Sequence, residues 1–133
     1  MFVYNNETHR YDSDIISVEL CYDDLYDGVC DYRDSDHFMQ SRLKLAEGLE
    51  KAYIDKIDDI IDFMISNGLI DFYDKFSKEK ITREVIKEKL GKPVIDVGRE
   101  IVSYQENRFK PFHIIEFEYI GVLDKFCYFT IDG

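Results

Sequence analysis

The chain reads as a single α+β domain, an antiparallel sheet with one long and two short helices packed against it. Three observations predict this. Apolar residues alternate at period two at both ends of the chain. They recur at three and four residues through the middle. The order is strands, then helices, then strands, which segregates the two kinds of structure. At 133 residues a single domain, residues 1–133, is the simplest organisation, and a core can form without disulfide or metal staples.

The elements follow in chain order. Met1–Tyr4 and Asp14–Tyr22 are predicted strands, because Ile16, Val18 and Leu20 alternate with Ser17, Glu19 and Cys21. Asn5–Thr8 supplies turn residues, so the pair forms an N-terminal hairpin. Residues 23–36 carry no period. They hold six Asp, one Gly and two Tyr, and a loop of this length in a compact domain is commonly functional. Phe38–Ser66 is the clearest helix. Leu45, Leu49, Tyr53, Ile57, Ile60, Ile61 and Met64 form its apolar stripe. Ser35 or Asp36 caps its start, Asn67-Gly68 stops it, and Gly48 marks a bend. Leu69, Phe72, Tyr73 and Phe76 have the spacing of a short second helix. Thr82 caps a third, whose Val85, Ile86 and Leu90 face inward and which Gly91 and Pro93 end. Val94–Gln105, bulged at Gly98, Phe112–Ile120 and Phe126–Ile131 complete the sheet as a three-stranded meander.

Composition narrows function. The chain carries 28 acidic and 17 basic residues, a net charge of −11. Such a surface repels phosphate backbones and anionic membrane, so neither direct nucleic-acid binding nor membrane binding is expected. No apolar run spans a bilayer, and the N-terminus has no signal-peptide pattern. A cytoplasmic protein with three reduced thiols is expected. Abundant Ile (16) with only two Ala points to AT-rich coding and discounts the Asp content somewhat.

No motif dictates a chemistry. Asp23, Asp27, Gly28 and Asp34 fall at EF-hand positions, but Leu25 occupies position three and a strand precedes the loop. The three histidines have no metal-ligand spacing. Cys30 and His37 lack a nucleophile–base signature, and the acidic surroundings quieten the thiol. Glu116 and Glu118 share one sheet face, which an outward polar face explains as well as acid–base catalysis does. His113 runs in phase with Ile115 and Phe117, which suits a hydrogen-bonded sheet residue. Cys127 reads as a small core residue. No catalytic residue, metal or cofactor is assigned. An enzyme or small-ligand binder would need Glu116, Glu118, His113 and Arg99 to converge in a pocket.

The informative feature is where the charge sits. Residues 1–36 hold ten acids and two bases, whereas 37–91 are nearly balanced and 92–133 are mildly acidic. Half of the ten tyrosines lie in the same 36 residues. Tyr22, Asp23, Asp24, Tyr26, Asp27, Asp31, Tyr32 and Asp34 interleave rings with carboxylates. Tyrosine gives contact area at low entropy cost, and carboxylates steer and pair with basic groups. A basic protein partner, such as a nuclease whose nucleic-acid site the segment would mimic, fits this pattern.

The N-terminal strands, the helix Phe38–Ser66, the capped Ile81-Thr82-Arg83-Glu84 and the terminal Phe129-Thr130-Ile131-Asp132-Gly133 together resemble the small acidic immunity proteins of bacterial polymorphic toxin systems. The resemblance implies a non-enzymatic cytoplasmic inhibitor of a toxin and carries no individual residue across. Phage-encoded inhibitors of host defence, anti-CRISPR proteins and nuclease inhibitors among them, share the electrostatic logic. A structural adaptor that self-associates through the polar-rimmed helix is a third alternative.

Overall fold

The computed structural model describes residues 1–19 and 36–132. The described strands are β1 (Val3–Asn5), β2 (Arg10–Asp12), β3 (Ser17–Glu19), β4 (Val94–Asp96), β5 (Ile101–Tyr104), β6 (Ile114–Ile120) and β7 (Lys125–Asp132). The helices are α1 (Asp36–Ser66), α2 (Leu69–Asp74) and α3 (Arg83–Leu90). The strands form one sheet in sequence order, β1 to β7. Every neighbouring pair is antiparallel except β3–β4, which is parallel. Parallel neighbours need a crossover, and all three described helices lie in it. This is the expected α+β fold.

One row of side chains explains the layering. Tyr11, Val18, Ile95, Val102 and Phe117 stand in register across five adjacent strands, and all five are buried. Against this face pack Leu49, Tyr53, Ile60, Ile61 and Met64 of α1, Leu69 and Tyr73 of α2, and Ile86 and Leu90 of α3. Within α1, Leu45 is exposed and Ala46 is buried, so the stripe begins one residue later than the sequence suggests. Asn67 and Gly68 end the helix. Asn67 donates its side-chain amide to the Phe63 carbonyl at 2.8 Å, and Gly68 takes a φ of 99°, which suits only glycine without strain. Thr82 caps α3 by accepting from the Val85 amide at 3.3 Å.

The sheet has more strands than predicted. At the N-terminus β1 pairs with Arg10–Asp12, not with the Asp14–Tyr22 segment. Asn5 Oδ1 accepts from the Glu7 and Thr8 amides and closes the first turn. Ser13 Oγ accepts from the Ile15 and Ile16 amides and closes a second. Three residues with one apolar member are too short a run for alternation to register. At the other end Val94–Gln105 divides into β4 and β5. Asp96 turns the chain there by accepting from the Arg99 amide at 3.1 Å. The predicted N-terminal hairpin is thus a three-stranded meander, and the C-terminal meander has four strands.

A bulge sets the face of β7. Glu116 pairs with Thr130 and Glu118 with Cys127, so the four residues Cys127–Thr130 of β7 oppose the three residues Glu116–Glu118 of β6. The extra residue is Tyr128, exposed, at φ 54°. Phe126 and Phe129 are an odd number of residues apart and would otherwise face opposite ways. Both instead reach Phe63 of α1, at ring distances of 5.7 and 6.2 Å. Cys127 pairs with Glu118 on the face away from the helices and is half-buried. The core position expected for it is corrected accordingly.

Candidate functional site

The residues singled out for partner contact, Tyr22, Asp23, Asp24, Tyr26, Asp27, Asp31, Tyr32 and Asp34, lie outside the described residues, as do Cys21 and Cys30. Their flanks are described: β3 ends at Glu19 and α1 begins at Asp36.

Within the described fold, several acids meet bases. Arg83 clasps Asp62 and Asp58 on α1, and these carboxylates hold its guanidinium above its ordinary pKa, Asp62 foremost. Lys56 joins Asp124 at 3.7 Å and the Leu123 carbonyl at 3.2 Å. Arg10 meets Glu19 at 3.4 Å. Arg99 pairs with Asp96 at 2.8 Å.

The residues an enzyme would need do not converge. His113 donates from Nδ1 to the Pro111 carbonyl, 3.0 Å away, and its ring stands edge-on to Phe72 at 5.2 Å. It therefore faces the helices. Glu116 and Glu118 alternate with the buried Ile115, Phe117 and Tyr119 and face the other way. Arg99 sits in the β4–β5 turn on Asp96. Among the described residues no group of three His, Cys, Asp or Glu side chains could hold a metal ion.

Two clefts do gather polar side chains. The first, about 180 Å³, lies on the sheet face away from the helices, lined by Arg10, Asp12, Ser17, Lys92 and Gln105 among others. Its cations are engaged. Lys92 donates to the Ser13 carbonyl at 3.2 Å and approaches Asp12 at 3.9 Å, and Arg10 holds Glu19.

The second cleft, about 380 Å³, is basic. Its floor is Tyr73, Ile81 and Phe109, with Phe76 at the side. Its rim carries Lys78, Lys89, Arg108 and Lys110 against one carboxylate, Glu79. Each wall has a local cause. Tyr73 is one of the two buried residues of α2, with Leu69, and stacks on Phe109 at 4.5 Å with rings 19° apart. Ser77 turns the next segment by accepting from the Glu79 amide and donating to its carbonyl. Asn107, itself buried, holds the third wall. It donates to the Tyr104 and His113 carbonyls at 2.9 and 2.7 Å and accepts from the Phe109 amide at 3.1 Å. Arg108 is tethered to the end of α3: its amide donates to the Lys89 carbonyl at 2.7 Å, and its guanidinium donates to the Glu88 carbonyl.

The Tyr73 hydroxyl is the anomaly in this cleft. It is buried and has no hydrogen-bond partner, whereas buried hydroxyls usually find one. Burial pushes its pKa up to about 12. The sequence gives no sign of this site. Its cations come from three separate stretches, and the near-neutral balance of residues 37–91 conceals Lys78 and Lys89 as the mildly acidic balance of 92–133 conceals Arg108 and Lys110.

Among the described residues no helix is long and apolar enough to cross a membrane. No family model, curated protein or solved structure matches the chain.

Proposed function

We propose that the chain is a non-enzymatic protein–protein inhibitor that works as an immunity protein, neutralising a toxin with a basic, nucleic-acid-binding surface. The observation that carries this reading is the excess of Asp in the tyrosine-rich segment. Residues 22–34 hold five Asp against Arg33 alone, whereas residues 37–91 hold eleven acids and ten bases. Carboxylates interleaved in sequence with aromatic residues suit a cationic surface, which they steer and hold. Occupying such a surface excludes the phosphate groups it evolved to bind. The dispersal of Glu116, Glu118, His113 and Arg99 over different parts of the fold favours this reading over an enzyme built on those groups.

The test starts with capture from the source cell using the full chain. A captured basic enzyme whose activity falls on adding the chain is the expected partner. Asp23→Asn, Asp24→Asn and Asp27→Asn together should then weaken association about tenfold or more and flatten its dependence on salt. Unchanged affinity and salt slope would overturn the acidic-segment mechanism.

A further inference from the structure

The basic cleft is the described feature least in keeping with a chain of net charge −11. Four cations, Lys78, Lys89, Arg108 and Lys110, converge on one opening with Glu79 as the sole lining carboxylate. Convergence of like charges is unfavourable unless something of opposite sign is bound there. The opening is also not purely polar. Phe76 is 54 % exposed beside it, and Ile81 and Phe109 line its floor. A volume of about 380 Å³ is at the small end of small-molecule sites.

We propose that this cleft binds a nucleoside monophosphate. The phosphate is held by the rim cations, with Arg108 directed by its tether to the Glu88 carbonyl. The base stacks on the exposed ring of Phe76, as bases do on aromatic side chains. Charge range separates a free nucleotide from a nucleic-acid strand. At physiological salt, fields fade over about 8 Å, so a single phosphate feels mainly the local cations. A strand would extend its further phosphates over the acidic surface and be repelled.

The experiment is calorimetric titration of the full chain with AMP, adenosine, inorganic phosphate and a short single-stranded oligonucleotide. AMP should bind saturably, with adenosine and inorganic phosphate each weaker by about tenfold or more. Lys78→Gln with Lys110→Gln should weaken AMP and reduce its salt dependence. Phe76→Ala should weaken AMP about tenfold while leaving inorganic phosphate unchanged. Undiminished AMP affinity in that variant overturns the stacking contact. Absence of saturable AMP binding at millimolar concentration overturns the proposal. So does an oligonucleotide that binds more tightly than AMP. None of these outcomes depends on the acidic segment of residues 22–34.

Discussion

Asn107 holds three backbone groups of the loop between β5 and β6, and no other side chain there does comparable work. Replacing it with Ala leaves the Tyr104 and His113 carbonyls and the Phe109 amide without their partner in a buried setting. A loss of about 2–3 kcal/mol is expected in urea unfolding, with AMP binding lost alongside because Arg108–Lys110 forms a cleft wall. The second residue-scale feature is the 2.7 Å bond between the Tyr53 and Tyr104 hydroxyls, both buried. Tyr104→Phe should cost about 1–3 kcal/mol by stranding the Tyr53 hydroxyl. The double Tyr53→Phe, Tyr104→Phe variant should recover most of that, because no polar atom is then left unpaired. Burial pushes Tyr53 up to about 12, outweighing the bond to Tyr104, and holds Tyr104 well above its ordinary value. A pKa raised in the fold means that the native state binds the proton more tightly. Stability from these hydroxyls is therefore complete below pH 10, the unfolded value, and is lost as pH rises from 10 towards 12. Unfolding midpoints measured across that range should fall, and fall less steeply in the double Phe variant.

Among the elements, two glycines make opposite predictions. A Cβ at Gly48, inside α1, would meet nothing within 4 Å, so Gly48→Ala should stabilise the protein by about 0.5–1 kcal/mol. At Gly91 the backbone has φ 73°, and a Cβ would fall 2.9 Å from the Glu106 carbonyl oxygen. Gly91→Ala should destabilise by more than Gly48→Ala stabilises, and thermal melts of the two variants compare them directly. The helices were legible in the sequence because their apolar residues repeat over several turns and their ends carry Thr82, Gly68 and Gly91. The strands were less so. β2 is three residues long, β4 and β5 run together in the sequence, and Phe126 and Phe129 share a face only because Tyr128 bulges out. Alternation cannot report a bulge, since it is the bulge that breaks the alternation.

For the molecule as a whole, net charge was the right quantity to read but too coarse in one respect. It located the acidic excess in the first 36 residues. It also hid a basic cleft, because Lys78, Lys89, Arg108 and Lys110 are each diluted by acidic neighbours in sequence and are gathered only by the packing of α2, α3 and the Asn107 loop. The two surfaces should respond to salt in the same direction with different ligands. Added salt should weaken both the basic protein partner and AMP, and the Asp23, Asp24 and Asp27 substitutions should change only the first. The parallel junction of β3 with β4 has a consequence for how the chain assembles. Its three pairs join Ser17, Val18 and Glu19 to Val94, Ile95 and Asp96, the ends of the intervening chain, whereas β4 to β7 are joined by short local turns. Closing so long a stretch costs entropy before any contact rewards it. The C-terminal meander and helices should therefore form first, and the N-terminal meander should dock late. Val18→Ala, at the seam, should accelerate unfolding while leaving the refolding rate nearly unchanged in stopped-flow measurements. In kinetic terms the first 19 residues are the last part of the fold to arrive and the first to leave.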